Sequence, residues 1–419
     1  MDTKDIIDLN TEGNKNFPED TGGKKNKKKN RKKNKKNKLK GHLIRSAVAL
    51  VVLVILYLTA VYSDIPFIEK WRTIYIETAM STNSHQWLAT YFIPKSVVDE
   101  VVDKKNAALE KQKQLESKWE TQETEETETV TPEELFYQKY WELDTYAFRN
   151  YLSEHSYLTV NDYKQVLIED FDEELGLVTK NGDPILVVDT ANNLLVIGIH
   201  GSNFEGKLAI IKDPAQVELA KAESLGRFGE EVSTFGERYD AAIAINASGF
   251  TDVGGHGTGA DVKGALIIDG VEYSTTPSSW KFYGMKFDNK LYVGNYSDID
   301  PVDYRWGIQF FPALIVNGEC VVDGTLGMGI QPRTAIGQAE DGTFMMLIVD
   351  GRQVGYSLGC TVQDCSDILM SYGAVQAGNL DGGSSSVMWY KGQQITKSSS
   401  ATGRGRYMPD ALIVRKVGQ

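Results

Sequence analysis

The run Asn379-Leu380-Asp381-Gly382-Gly383-Ser384-Ser385-Ser386-Val387 sets one carboxylate at the mouth of a turn of two glycines and three hydroxyls. An apolar stretch follows it. Glycine lets a backbone approach a ligand closely and adopt dihedrals that other residues avoid. Successive N–H groups in such a turn form an anion-binding concavity. A carboxylate beside an anion cradle is what hydrolysis of a sugar phosphate needs. Glycine–serine turns between strands are common, however, and most do no chemistry, so the rest of the chain decides the reading.

Three further polar clusters lie at the ends of predicted strands. Asn246-Ala247-Ser248-Gly249-Phe250 follows the apolar run Ala241–Ile245, and Pro332-Arg333-Thr334-Ala335-Ile336-Gly337 carries an arginine and a hydroxyl into a strand. Asp350-Gly351-Arg352 follows Met345–Val349, while Arg404, Arg406 and Asp410 precede the last strand. Strand ends held by a rigid sheet are good places to fix catalytic groups. Each cluster alone reads as a turn. Carboxylates, arginines, an asparagine and glycine turns together point to a site.

Asn246–Phe250, Pro332–Gly337 and Asn379–Ser386, with Arg406 near the end, resemble the phosphodiester glycosidase family over roughly residues 165–417. Two departures stand out. The family often has Asn-Gly-Gly-Phe-Phe where this chain has Asn246–Phe250, and a third glycine where it has Ser384. Both keep small residues, so they bear on substrate more than on activity. The resemblance implies cleavage of a sugar–phosphate diester at the anomeric carbon. That builds oxocarbenium character, which carboxylates stabilise or relieve by activating the attacker. The leaving phosphate monoester is already a stable anion, so strong acid help matters less. Asp381 is the expected key carboxylate and Asp350 the second. Arg333 and Arg406 are the expected phosphate clamps, since the guanidinium fork donates two parallel charge-assisted bonds. Asn246, Thr334 and Ser385 would position sugar hydroxyls or phosphate oxygens, with Asn379, Gly382 and Gly383 completing the substrate turn. No metal or other cofactor is expected.

These residues need elements to hold them. After about residue 165 the chain breaks into short apolar runs split by Gly, Asn and Asp, the texture of a strand-rich domain. Predicted strands include Ile185–Val188, Leu194–Ile199, Lys207–Ile211, Ala265–Ile268, Lys286–Val293, Ala313–Val316, Thr334–Gly337, Val387–Tyr390 and Ala411–Val414. A helix is expected over Thr361–Tyr372, where Thr361 and Asp364 make a capping-box start. Another starts at Thr131-Pro132-Glu133-Glu134, an N-cap with proline first and acids in the opening turn. The fold class is therefore α+β.

The 419 residues allow one substantial domain plus accessory segments. The net charge of -12 hides a segment, residues 24–40, with twelve Lys/Arg and no acid. Residues 1–41 read as a disordered basic tail, because so polar a stretch cannot build a core. Ala47–Tyr62 is an unbroken apolar run, giving a transmembrane helix over 42–63 close to the ~20 residues a bilayer requires. The basic leader and the lack of a clear cleavage site favour a retained anchor over a signal peptide. The positive-inside rule puts the tail in the cytoplasm and the C-terminal domain outside the cell membrane. The lysines then contact anionic lipid rather than nucleic acid. Residues 64–164 read as an aromatic juxtamembrane segment, a helical stalk and an acidic linker, followed by the glycosidase-like domain at 165–419.

Three cysteines, Cys320, Cys360 and Cys365, make no disulfide scaffold. Cys360 and Cys365 either pair or stay as buried thiols. His256 lies in a glycine loop, and Trp280, Tyr283 and Trp389 are either sugar-stacking rings or core. The expected activity is hydrolysis of a glycosyl-1-phosphate diester in an envelope polymer or exopolysaccharide, with sugar-phosphate substrate and membrane lipid as partners. The rival is a non-catalytic envelope module that binds anionic polymer, for which the carboxylates would be unhelpful.

Overall fold

A computed structural model describes residues 22–82, 85–119, 130–252, 257–276 and 278–418, with side chains from Lys38 onward. His256 and most of the acidic linker, residues 120–129, lie outside these. The chain divides into two compact units, Met1–Glu69 and Lys70–Gln419.

The first unit contains the helix Gly22–Tyr62. Its Lys38–Tyr62 portion is long and apolar enough to cross a membrane, as a span or a signal sequence. The helix begins well before the expected span. Lysine is a good helix former, and no proline separates the basic run from the apolar one, so helix continues through both. Helix is thus present from Gly22 on, within part of the stretch expected as a disordered tail.

In the second unit the helix Lys95–Gln112 does not lead into a free stalk. The Gln112 amide donates to Ala313 O and accepts from Ala313 N, both at 3.0 Å. Ser117 pairs with Val293 through both its backbone N–H (2.8 Å) and its hydroxyl (2.9 Å). Buried amide and hydroxyl groups must be satisfied, and here the backbone of strands in two sheets satisfies them. The segment expected to stand away from the domain is strapped across it.

Three antiparallel sheets form the rest. The largest has nine strands, and its centre runs Glu205–Ile211, Phe344–Val349, Arg333–Ala339, Ala374–Asn379, Ala313–Val316. One five-stranded sheet is centred on Tyr304–Phe310. The other places Ile243–Asn246 between Met388–Tyr390 and Asp410–Val414. Side chains alternate across the large sheet, as strand geometry requires. Leu194 and Val196 enter one core with residues of the two smaller sheets. Leu195 and Ile197 enter a second core with Phe136, Phe148 and Leu369 of the covering helices.

Both predicted caps form. Thr131 and Glu134 make a capping box for Pro132–Lys139, and Thr361 and Asp364 make one for Val362–Ser371. The predicted strand Lys286–Val293 is instead two strands, Lys281–Lys286 and Leu291–Asn295. Asn289 adopts a left-handed conformation (φ 63°) and turns the chain between them.

Candidate active site

Register gathers the polar clusters at one end of the large sheet. Arg333 pairs with Val349, and Ala335 with Asn379, so the Asp350 and Asp381 segments leave the two strands that flank Arg333–Ala339 at the same end of the sheet. In the second five-stranded sheet Asn246 pairs with Ala411, which brings Ser248 and Asp410 together. The two sheets meet at Asn246. Its Nδ2 donates to the Asp381 carbonyl (2.6 Å), and its Oδ1 accepts from Thr334 Oγ1 (2.9 Å) and Val387 N (3.2 Å).

The Asp381 turn is fixed by backbone. Asp381 N donates to Ala247 O (3.2 Å), Leu380 N to Thr334 O (2.8 Å) and Gly383 N to Pro332 O (2.9 Å). A Cβ on Gly382 would lie 2.7 Å from Pro332 O, too close for any other residue without movement of the chain. Gly383 takes φ +66°. Asn379 is buried, with Nδ2 donating to Phe311 O (2.8 Å) and Oδ1 without a partner.

Burial pushes the Asp381 carboxyl up to about 7. A hydrogen bond from Ser385 and the charge of Arg406 oppose that rise, while Asp252 and Asp410 add to it. Part of Asp381 remains in solvent. The carboxyl thus sits in dense surroundings with one open side, which tempers the rise without reversing it. Asp410 is fully buried and also pushed up, to about 6. Ser248 N donates to its Oδ1 at 2.7 Å, but its Oδ2 and the Ser248 hydroxyl have no partner.

The expected clamps separate. Arg333 is 2% exposed, and its guanidinium donates to backbone carbonyls of Cys360 (3.3 Å), Met328 (3.3 Å) and Gly329 (2.7 Å). It braces a loop and has no face toward solvent. Arg406 forms a forked pair with Asp252, at 2.9 and 3.0 Å, and lies over the Phe250 ring. Arg352, which the sequence reading left without a role, is exposed and lies against the glycine turn. Its Nη2 is 3.2 Å from where a Gly383 Cβ would stand.

Asp350 is not brought into a pair with Asp381. Both its oxygens accept from Lys397 N at 3.0 Å, and Tyr356 donates to it at 2.9 Å. Burial nevertheless raises it to about 6. The carboxylates that act on Asp381 are Asp252 and Asp410. Asp410 was visible as an acid opening the last strand, but only sheet pairing shows what it faces. Asn246 and Thr334 are fully buried, so they hold the turn from behind. Tyr283 and Trp389 are core, Trp389 lying flat over Gly236. Trp280 keeps partial exposure and flanks Gly249.

Among the described residues no His/Cys/Asp/Glu group is arranged to hold a metal ion. A cavity of about 490 Å³ is lined by other residues, including Leu135, Phe136, Tyr163 and Ala191. It plays no part in this arrangement.

Residues 239–415 match the sequence model of the phosphodiester glycosidase family, a narrower span than the motifs suggested. A relative, the SPbeta prophage-derived uncharacterized protein YomE of Bacillus subtilis (strain 168), is 31% identical over 199 residues. That alignment takes in 44% of this chain and 29% of YomE, so the chain spans less than a third of that relative. Among solved structures, the zebrafish N-acetylglucosamine-1-phosphodiester alpha-N-acetylglucosaminidase catalytic domain, auto-inhibited by its pro-peptide, superposes with a TM-score of 0.44. It shares 20% identity over 53% of this chain and 82% of its own. A hypothetical protein from Synechocystis gives a TM-score of 0.44 at 15% identity, over 55% of this chain and 64% of its own. By the sequence match, and by the motifs within it, residues 239–415 of this chain are similar to the phosphodiester glycosidase family.

Proposed function

We propose that the chain hydrolyses a glycosyl-1-phosphate diester, releasing a free sugar end and a phosphate monoester. One observation carries this reading: the part-exposed Asp381, its carboxyl raised to about 7, shares its glycine turn with the guanidinium of Arg352, an exposed residue. A group titrating near neutrality is best suited to proton transfer at physiological pH.

Arg352 would take the substrate phosphate, since a planar fork matches two phosphate oxygens. The bond between the anomeric carbon and the phosphate oxygen breaks, and its electron pair leaves with the phosphate. Water adds to the anomeric carbon and gives its proton to ionised Asp381. Asp410 and Asp252 favour the protonated product form by their negative charge.

The anchored arrangement belongs to the same proposal. Lys38–Tyr62 acts as a retained span with the lysine-rich segment in the cytoplasm, and the domain works on envelope polymer or exopolysaccharide near the membrane. The length of the span and the basic block before it support this.

The test is turnover of N-acetylglucosamine-1-phosphate diesters by the full chain in detergent, beside Asp381→Ala checked for intact folding. Turnover lost in the folded variant supports the reading. Equal turnover in both removes Asp381 from the mechanism. Polymer binding without turnover by either favours the non-catalytic envelope module. Carbonate extraction of membranes reads the anchor separately, since an integral span stays in the pellet.

A further inference from the structure

The loop Thr325–Gln331 leads into the strand that carries Arg333 and Thr334, and residues outside the family match grip it. Thr325 Oγ1 donates to Glu77, a side chain only 7% exposed. Ile330 N donates to Thr78 Oγ1 at 3.1 Å. Two glycines make this approach possible. A Cβ on Gly327 would lie 2.4 Å from Lys105 Cβ, and one on Gly329 would lie 2.5 Å from the Thr78 backbone. Both glycines have positive φ, +72° and +65°. The helices Pro66–Met80 and Lys95–Gln112 therefore fit this loop closely and do not merely lie near it.

The grip continues to the reactive turn. Gln331 is 7% exposed, and both ends of its carboxamide are engaged. Its Nε2 donates to Ser81 Oγ (2.5 Å) and Met328 O (2.7 Å). Its Oε1 accepts from Arg352 Nη2 at 2.6 Å. With two acceptors fixing the NH2, the carbonyl oxygen has one direction left, and it points at Arg352. Arg352 itself has φ +60°, a left-handed backbone conformation that non-glycine residues seldom adopt. A long flexible cation bound at one nitrogen is pre-organised for a ligand at the others.

We propose that Gln331 is a positioning residue that holds the Arg352 guanidinium for the substrate phosphate, and that Ser81, directly after the helix Pro66–Met80, fixes the Gln331 carboxamide. Glu77, Thr78, Ser81 and Lys105 are thereby part of the catalytic scaffold. This rests on the reading that Arg352 receives the phosphate.

The test uses the full chain with Gln331→Met, Gln331→Glu and Ser81→Ala. Methionine keeps the volume and loses all three bonds. Glutamate keeps the acceptor for Arg352 but sets its second oxygen against Met328 O in place of a donor. We expect Gln331→Met to raise KM for the diester about tenfold, the cost of one charge-assisted bond, with a smaller change in kcat. Affinity for inorganic phosphate, read by calorimetry, should fall in step. Gln331→Glu, which keeps the Arg352 acceptor alone, should restore part of both, and Ser81→Ala should shift both by about threefold. A mere loss of stability would lower Tm without this split or this rescue. Parental KM and phosphate affinity in a folded Gln331→Met chain would overturn the proposal. If the parent turns over no diester, the reading of the reaction fails, and the phosphate titration alone decides whether Gln331 positions Arg352. A parent that binds no phosphate overturns both.

Discussion

Arg406 and Asp252 form a forked ion pair, with Nη1 to Oδ2 at 2.9 Å and Nη2 to Oδ1 at 3.0 Å, beside the Asp381 carboxyl. The two partners pull Asp381 in opposite directions, Arg406 lowering its pKa and Asp252 raising it. Because they hold each other, neither can dominate, and the titration of Asp381 depends on both. Asp252→Asn should free the arginine's charge and move Asp381 downward. The acidic limb of the kcat/KM profile would then shift to lower pH than the parent's. A limb that stays in place would show that this pair does not set the reactive carboxyl.

The limb itself carries a sign. If ionised Asp381 accepts the proton from water, kcat/KM rises as pH passes through about 7. Stability moves the other way. A carboxyl raised in the folded state binds more protons there than in the unfolded chain, so stability falls as pH rises from the unfolded pKa near 4 toward 7. Asp410, raised to about 6, adds to the same fall. Asp381→Asn should lose part of this dependence, so its Tm gains on the parent's between pH 4 and 7. Parallel Tm curves would rule the shift out.

Asp381→Asn should also lower kcat by about 10²–10⁴, the usual contribution of a proton-transfer group. The variant is nearly isosteric, so the far-UV circular dichroism spectrum should be unchanged. Residual activity near the parental level would exclude proton transfer at this position.

Arg333 and Arg352 should behave oppositely. Arg333→Met leaves the carbonyls of Met328 and Gly329 without their donor in a dry loop, and we expect about 2–4 kcal/mol less stability in urea unfolding. Arg352→Met removes an exposed guanidinium, so stability should hold while phosphate affinity falls at least tenfold. Reversed results would return the clamp to Arg333.

Gly382→Ala should disturb the turn without unfolding the sheet. Its Cβ would meet Pro332 O at 2.7 Å, and backbone must move to admit it. We expect kcat to fall by more than tenfold with about 1–2 kcal/mol lost in stability. Full activity would mean that the turn's spacing is not critical.

Much of the frame was legible. Thr131 with Glu134, and Thr361 with Asp364, announced helix starts that formed as read, because a cap is local chemistry within four residues. Ala265–Ile268 and Ala313–Val316 formed with the expected bounds, since each is a short apolar run between turn residues. Tyr304–Phe310 was missed, its two polar residues and glycine diluting the apolar signal.

The sequence alone determined the apolar helix, the strand-rich domain, the family motifs and the Asp381 turn, because composition, periodicity and glycine placement act over a few residues. Tertiary structure decided which charges meet. Arg333 and Arg352 are alike in the sequence, each beside a small polar motif at a strand end. Only sheet register buries one among carbonyls and lays the other across the glycine turn, with Gln331 as its partner. Asp410 and Asp252 reach Asp381 from positions 29 residues after and 129 before it, through the pairing of Asn246 with Ala411 and the Arg406 fork. Electrostatic fields fall off with distance in space, so no reading along the chain could have chosen them over Asp350.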